Sequence, residues 1–277
     1  MTSISKARRR FPKSSDKPIA LKQRAKKSLG QNFLVDTNIA RKIVDELCIL
    51  EGEQVVEIGP GKGALTRLIV RKGAKVVGVE KDFQLSESLR AEFCSTPSFE
   101  LVNGDFLDYQ FKTYDKLVKV VGNIPYNLTS KIVSKLVDSR SKLDFAVLMF
   151  QEEVADRLAA KWGTKSYGAL SVRLQLTAGV KKLFQVPPTC FQPRPKVTSQ
   201  VIKISFQNRD ALADEERFVT FIKKAFGMRR KMLRHFISHY YGKLSLEKLP
   251  QNFHVMRIEA FPPEEIYHIF SVLESND

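Results

Sequence analysis

Five short apolar segments, separated by helical segments, constrain the fold of this chain more than any other feature. Each has the length and apolar content of a buried strand, and the intervening segments carry apolar residues at helical spacing. Parallel strands joined in this way form a doubly wound α/β sheet, which binds ligands beyond the carboxyl ends of its strands. The predicted strands are 54–58, 75–79, 99–102, 116–121 and 144–150, and the predicted helices between them include 64–71, 83–94 and 128–138.

The chain on either side of these strands predicts further parts. A helix is expected to follow a capping position at Asp36. A Pro-rich segment at 186–197 precedes a strand at 200–206, which we expect to close the sheet as an antiparallel partner. Helices are then predicted at 213–226, 231–241 and 263–273 with no strand between them. We therefore predict a mobile basic arm at 1–27, a catalytic domain at 28–206 and a small all-helical, RNA-binding C-terminal domain at 207–277.

The charge balance indicates a polyanionic partner. The chain has 46 Lys and Arg against 30 Asp and Glu, a net charge of +16 at pH 7. Such an excess in a folded protein favours nucleic acid binding over a merely solvated surface. No apolar run reaches the about 20 residues of a membrane helix, so no membrane partner is expected. Three widely spaced cysteines indicate a reducing cytoplasm, although the basic arm leaves organelle targeting open.

A glycine-rich turn follows the first predicted strand. It reads Glu57-Ile58-Gly59-Pro60-Gly61-Lys62-Gly63 and comes immediately before a helix. Glycines let a backbone approach a nucleotide-like ligand closely, though they also serve plain tight turns. The spacing is not the dinucleotide pattern, and the carboxylate of Glu57 would repel a pyrophosphate. The turn therefore favours a cationic ligand without phosphates.

Acidic residues also end the next two strands. Glu80 is placed for its carboxylate to accept hydrogen bonds from the two hydroxyls of a ribose. Asp105 could accept from an adenine amine, and Phe106 could cover the adenine ring. A single strand-end acid is more often solvated, but three in succession predict an adenosyl site with a carboxylate near its amino-acid end.

The fourth strand leads into Asn123-Ile124-Pro125-Tyr126, which predicts chemistry on an exocyclic adenine amine. That nitrogen is a poor nucleophile because its lone pair is delocalised into the ring. The side-chain oxygen of Asn123 and the carbonyl of Pro125 could each accept one N–H and direct the lone pair at a methyl group on sulfonium. Tyr126 could stack on the extruded base, and Phe191 on the Pro-rich loop could form the second face of a sandwich.

These motifs resemble those of the KsgA (RsmA) family of ribosomal RNA adenine dimethyltransferases, over nearly the whole chain past the basic arm. The glycine turn, Glu80, Asp105, the segment 123–126 and Phe191 all match. The resemblance also implies cofactor contacts from Asn32 and Leu34, within an N-terminal lid at 27–34. It further implies RNA contacts from the basic run that contains Arg229, Arg230, Lys231 and Arg234.

The resemblance implies a Rossmann-like sheet that depends on S-adenosyl-L-methionine. It implies N6,N6-dimethylation of two adjacent adenosines in the 3′-terminal helix loop of small-subunit (16S) rRNA, within the immature small ribosomal subunit. The protein is accordingly expected to be a cytoplasmic monomer linked to small-subunit biogenesis. No metal is expected, because His235 and His239 have no third ligand at recognisable spacing.

Three alternatives stay open. Ile124 stands where bacterial KsgA proteins more often carry Leu, and the related Erm methyltransferases of the large subunit tend to show Ile there. The loop at 191–197 and the signature at 229–234 favour KsgA over Erm. A second alternative is an RNA-binding assembly factor with incidental catalysis. A DNA adenine methyltransferase would usually carry two prolines before the aromatic, which Ile124 disfavours.

Overall fold

The computed structural model describes residues 31–112, 114, 116–125, 128–206 and 212–275. The predicted arm at 1–27 and the catalytic candidate Tyr126 lie outside the described residues. The described strands are β1 (Phe33–Leu34), β2 (Gln54–Ile58), β3 (Lys75–Glu80), β4 (Phe99–Asn103), β5 (Val118–Asn123), β6 (Leu143–Gln151), β7 (Ala178–Val186), β8 (Phe191–Gln192) and β9 (Ser199–Phe206).

Helices cover the faces of the sheet and form the C-terminal part of the described chain. In the catalytic part they are α1 (Thr37–Asp45), α2 (Thr66–Arg71), α3 (Phe83–Glu92), α4 (Thr129–Asp138), α5 (Glu152–Leu158) and α6 (Ala169–Thr177). Farther along the chain they are α7 (Glu215–Gly227), α8 (Leu233–Tyr240), α9 (Gln251–His254) and α10 (Pro263–Glu274), with short 3-10 turns between them. The predicted cap at Asp36 is present, since its carboxylate accepts from the backbone N–H groups of Asn38 and Ile39.

The main sheet has the order β4-β3-β2-β5-β6-β9-β7. The strands from β4 to β6 are parallel, and β9 pairs antiparallel with both β6 and β7. This confirms the predicted doubly wound α/β sheet and the antiparallel pairing of the strand predicted at 200–206, but β7 closes the sheet in place of that strand. The chain order reverses at β2, which lies between β3 and β5, and a crevice for ligands opens beyond the carboxyl ends of strands at such a reversal.

Alternate residues of the central strands feed two separate apolar layers. Val56, Val120 and Leu148 belong to the layer on one face of the sheet, whereas Val55 and Val147 belong to the layer on the other. Side chains of a strand point alternately to opposite faces, so strands covered on both faces must be apolar throughout. This explains why these strands read as continuous apolar runs in the sequence.

Helices α5 and α6 and strand β7 of the catalytic part were not predicted from the sequence. Helices α5 and α6 are short, and β7 follows α6 directly at residue 178. Strand β7 is an edge strand with exposed Lys181 and Lys182, so its sequence lacks the apolar run that identifies the central strands. Strand β5 also runs two residues further than predicted and ends on Asn123 itself.

The C-terminal helices share a core with the catalytic part. One apolar cluster contains Phe218, Phe221 and Ile266 of these helices. It also contains Tyr167, which lies just before α6, and Val172, which lies on α6. The domain boundary was expected between residues 206 and 207, and residues 207–211 lie outside the described residues. Within the described ranges no strand follows β9, and no helix is long and apolar enough to span a membrane.

A partly buried ion pair ties the first turn of α7 to the short turn that follows α4. The guanidinium of Arg140 donates to the carboxylate of Glu215, with a shortest distance of 2.7 Å, and also to the carbonyl of Val137 at 2.8 Å. Arg173 reaches the same carboxylate at 3.3 Å. Negative charge in a first helical turn is also favourable to the helix dipole. The C-terminal helices are therefore anchored to the catalytic part by charge as well as by apolar contact.

Candidate active site

A cleft at the carboxyl edge of the sheet brings together most of the residues predicted for the cofactor. It lies between the N-terminal segment, the turn after β2 and the ends of β3, β4 and β5. Its lining includes the predicted cofactor residues Asn32, Leu34, Glu57, Gly59, Gly61, Glu80, Asp105, Phe106 and Asn123, together with the predicted catalytic residue Pro125. Gly63 and Phe191 are not part of the lining.

The turn after β2 requires glycine for its shape. Gly59, Gly61 and Gly63 have φ angles of +62°, +58° and +75°, in the left-handed region that side chains disfavour. A Cβ atom on Gly61 would also lie 3.3 Å from the ring of Phe33. The backbone N–H of Gly61 donates to the Oε2 atom of Glu80 at 2.9 Å. The turn is thus bound to the second of the predicted carboxylates.

Glu57 is a buried carboxyl group with few compensating contacts. Its side chain is 2 % exposed, and the hydroxyl of Thr66 donates to its Oε2 atom at 2.7 Å. The pKa of Glu57 is raised to about 7, chiefly by burial; the hydrogen bond from Thr66 opposes the rise, and the nearby carboxylate of Glu80 adds to it. A cation bound in the cleft would stabilise the ionised form. The site is therefore suited to a positively charged ligand.

Glu80 is held by the backbone on both carboxylate oxygens. The Oε1 atom accepts from the N–H of Asp82 at 2.9 Å, while the Oε2 atom accepts from Gly61. Burial raises the pKa of Glu80 above its ordinary value, although these backbone hydrogen bonds oppose the rise. Each carboxylate oxygen can accept more than one hydrogen bond. Glu80 can therefore hold the glycine turn and still accept from two ribose hydroxyls.

Asp105 and Phe106 lie beside each other after β4. The carboxylate of Asp105 accepts from the Nζ atom of Lys81 at 2.8 Å and from the N–H of Leu107 at 2.9 Å. Burial acts to raise the pKa of Asp105, but these two hydrogen bonds outweigh it and the pKa lies below its ordinary value. Phe106 is 5 % exposed and presents an apolar surface to the cleft. Lys81 was not identified from the sequence, because a side-chain ion pair leaves no pattern there.

These residues fit an adenosyl cofactor that carries a positive charge. Glu80 offers paired acceptors for a ribose, and Asp105 with Phe106 offers an acceptor and an apolar face for adenine. Glu57 offers buried negative charge next to a turn whose glycines leave room for a ligand. A ligand with a pyrophosphate would be disfavoured, because its negative charges would lie between the carboxylates of the cleft. The cleft is therefore suited to hold S-adenosylmethionine.

The N-terminal segment joins the cleft to the catalytic motif. The side-chain amide of Asn123 donates to the carbonyl of Asn32 at 2.9 Å, and Gln31 donates to the carboxylate of Asp82 at 3.1 Å. The two ends of an amide lie on opposite sides, so the Oδ1 atom of Asn123 is directed away from Asn32. The N-terminal segment therefore orients the group that is predicted to accept from a target amine.

The backbone around Pro125 has a defined position. Ile124 is buried, and its N–H donates to the carbonyl of Met149 at 3.0 Å. The carbonyl of Pro125 accepts from the N–H of Leu128 at 3.0 Å in the turn that opens α4. A carbonyl has two lone pairs, so one remains for a substrate N–H.

Phe191 lies on β8 and is buried, with 5 % of its surface exposed. It pairs across to Leu34 of β1 and packs in the apolar layer that contains Leu47 and Val186. Its place in a base sandwich stays a prediction. The pairing of β1 with β8 was not predicted, because two-residue strands have too few residues to show alternation.

The basic cluster lies at the corner between α7 and α8. Arg230, Lys231 and Arg234 are exposed, whereas Arg229 is partly buried and pairs with Glu259 at 2.8 Å. Three of the four predicted RNA-contacting side chains thus face solvent, and Arg229 also has a protein partner. Among the described residues there is no group of three or more His, Cys, Asp and Glu side chains that could hold a metal ion.

The chain is similar to known RNA methyltransferases. A family model described as ribosomal RNA adenine dimethylase matches residues 22–275. Ribosomal RNA small subunit methyltransferase A of Chlorobaculum parvum is 42% identical over 255 residues, which are 91% of each chain. The protein of the same name from Mycoplasma mobile is 42% identical over 234 residues, 83% of this chain and 91% of its own length.

Solved structures share the fold. A dimethyladenosine transferase from Plasmodium falciparum has a TM-score of 0.77 at 24% identity, over 86% of this chain and 95% of its own. The 23S rRNA methyltransferase ErmE has a TM-score of 0.68 at 24% identity, over 88% of this chain and all of its own. At this identity the two structures support the architecture of the sheet and its C-terminal helices.

The glycine turn supplies a test of the cofactor site. Replacing Gly61 with Ala should weaken S-adenosylmethionine binding at least about tenfold, because the new Cβ would press on Phe33 and strain the bond to Glu80. Gly52→Ala is the matched control, since Gly52 has φ +76° but no atom within 4 Å of its added Cβ. Calorimetry should show loss of affinity only in the first variant. Equal affinities in both would contradict this role for the turn.

Proposed function

The chain belongs to the ribosomal RNA adenine dimethylase family and is an S-adenosylmethionine-dependent rRNA adenine dimethyltransferase, and we propose that its target is small-subunit rRNA. In this proposal it adds two methyl groups to N6 of each of two adjacent adenosines in the 3′-terminal helix loop of 16S rRNA. It acts as a cytoplasmic monomer on the immature small subunit. The relatives at 42% identity, which carry the name small subunit methyltransferase, support this substrate.

The observation that carries the proposed chemistry is the position of Asn123 and Pro125 in the same cleft as Glu57 and Glu80. When bound, S-adenosylmethionine supplies an electrophilic methyl group on a positively charged sulfur. The Oδ1 atom of Asn123 and the carbonyl of Pro125 each accept one N–H of the adenine amine, which directs its lone pair into the cleft. Formation of the bond from N6 to that methyl group would be balanced by loss of its bond to sulfur, and the amine nitrogen would release one proton to solvent.

Stacking completes the proposed base site. Tyr126 follows Pro125 in the chain and would cover one face of the adenine, a contact worth about 1–3 kcal/mol. Phe191 would cover the other face. Because Phe191 is buried and lies on β8, which pairs with β1, this contact requires the base to enter next to the N-terminal segment.

Two other functions are weighed against this one. A large-subunit target of the Erm type is supported by Ile124 and by the shared fold of ErmE, but identity to ErmE is 24%. An assembly factor with incidental catalysis would need no intact reaction site. The oriented amide of Asn123 favours an active enzyme over that alternative.

Methyl transfer to ribosomal subunits tests the proposal. With labelled S-adenosylmethionine, the protein should methylate undermethylated small subunits, and mass spectrometry should place the label on two adjacent adenosines near the 3′ end. Asn123→Ala should abolish most turnover, with a smaller loss of cofactor affinity than that caused by replacing Glu80. Glu80→Ala should instead weaken cofactor binding by about 1.5–3 kcal/mol, because it removes charge-assisted hydrogen bonds.

Three results would each contradict a part of the proposal. Label found only in large subunits would support the Erm-type function. Normal subunit maturation by Asn123→Ala protein that cannot methylate would make binding the primary role. Equal losses of cofactor affinity in both variants would contradict the separate roles given to Glu80 and Asn123.

The basic corner should contribute phosphate contacts that fix the position of the enzyme on the subunit. Replacing both Arg230 and Lys231 with Gln should flatten the slope of log affinity against log salt by about 1.4–1.8, since each phosphate contact releases counterions. Replacing Lys72 and Lys75, which are exposed on another part of the surface, is the charge-matched control. An unchanged slope in the Arg230 and Lys231 variant would show that the corner is only a solvated face.

A further inference from the structure

The loop between α5 and α6 presents the only tryptophan of the chain to solvent. Trp162 is 53% exposed, and all residues from 161 to 166 are exposed as well. Single exposed apolar side chains are ordinary on protein surfaces. A function for Trp162 must therefore be argued from the residues that surround it.

The loop is fixed to the C-terminal helices by hydrogen bonds. The N–H of Gly163 donates to the carbonyl of Glu259 at 2.6 Å, and the guanidinium of Arg229 donates to the carbonyl of Lys165 at 3.0 Å. The same guanidinium donates to the carboxylate of Glu259 at 2.8 Å. Tyr167 is fully buried behind the loop. Trp162 is thus held on a braced segment, which lowers the entropy cost of binding through it.

Arg229 has a role here that differs from that of its neighbours in the basic run. It joins three segments, namely the loop around residue 163, the corner at 229–233 and the turn at 256–259. A further bond from the N–H of Leu233 to the carbonyl of Met256, at 2.7 Å, joins the last two. The indole and the basic corner are therefore parts of one connected surface.

This surface is strongly positive. Exposed cations on its three segments are Lys161, Lys165, Arg230, Lys231 and Arg257. Glu259 on the same segments is paired with Arg229, which offsets its charge. Cations around a solvent-facing aromatic ring are the combination that binds unpaired nucleic acid, through phosphates and base stacking together.

We propose that Trp162 is a stacking platform for an unpaired nucleobase of the RNA partner, with Lys161 and Lys165 contacting the adjacent phosphates. The inference rests on the proposed function for the identity of the partner as RNA. It adds a second contact outside the cleft, and it assigns Arg229 as a positioning residue that braces the loop. Stacking has little base preference, so this contact adds affinity and leaves base selection to the cleft.

The first test compares two replacements of the tryptophan. Trp162→Ala should weaken binding to undermethylated small subunits by about 5- to 150-fold, the range for loss of one stacked base, whereas Trp162→Phe should retain most of the affinity. Leu50→Ala removes another exposed apolar side chain and should have no effect. Unchanged affinity in Trp162→Ala would overturn the proposal, as would an equal loss in Trp162→Phe.

Salt dependence separates stacking from charge. Trp162→Ala should lower affinity without changing the salt slope, because a neutral side chain releases no counterions. Lys161→Gln combined with Lys165→Gln should flatten the slope by about 1.4–1.8. A flatter slope in Trp162→Ala, or an unchanged slope in the lysine variant, would contradict the division between ring and cations.

A spectroscopic measurement follows the ring itself. Incorporation of 5-hydroxytryptophan labels position 162 alone and allows its emission to be excited apart from that of ribosomal proteins. Binding of small subunits should quench this emission and shield it from acrylamide. If the protein still methylates the subunits but its emission in the complex is not shielded from acrylamide, the proposal is overturned. Absence of methylation by the wild-type chain would instead reject the proposed function.

Discussion

The burial of two carboxyl groups at the carboxyl edge of a parallel sheet is the constraint on which this structure depends. Glu57 and Glu80 end neighbouring strands and are 2 % and 6 % exposed. Ionised groups are costly to remove from water unless they are hydrogen-bonded or paired with opposite charge. The structure supplies part of this compensation through the N–H groups of Gly61 and Asp82 and the hydroxyl of Thr66. A cationic ligand would supply further compensation at Glu57, which makes this edge better suited to a sulfonium than to a phosphate.

The same edge is coupled to the chemistry through the N-terminal segment. Asn32 accepts from Asn123, while the adjacent strand β1 pairs with β8 near residue 191. Segments more than 90 residues apart in sequence therefore meet over one cleft. The N-terminal segment lines the cleft and can thus orient the amide that is predicted to accept from the target base. Binding of the cofactor and readiness for transfer are expected to be linked for this reason.

Much of the fold could be predicted because its strands are buried on both faces. Such strands are continuous apolar runs, and the acids at their ends are conspicuous against that background. The turn was recognisable because its backbone angles disfavour side chains, so the sequence carries glycine at three closely spaced positions. These local signals were sufficient for the sheet, the glycine turn and the strand-end acids.

The parts that were missed depend on contacts distant in sequence. The edge strand β7 has exposed lysines and no apolar run, and β1 and β8 have two residues each. The ion pair between Arg229 and Glu259 could not be predicted from the sequence, because the basic run indicates only a solvated or RNA-binding face. The brace on the Trp162 loop likewise depends on three segments that only the folded chain brings together. A run of basic residues predicts a charged surface, but only the structure shows which of its side chains face solvent and which, like Arg229, hold other segments of the protein in place.

Titration of Glu57 by carbon-13 NMR tests the central claim most directly. Labelled glutamate, assigned by comparison with Glu57→Gln, should show this carboxyl titrating near pH 7 in the free protein, because burial raises its pKa. Saturation with S-adenosylmethionine should lower that pKa, since a nearby cation favours the carboxylate. A free-protein titration near the ordinary value of 4.5, or a titration that the cofactor leaves unchanged, would contradict the account.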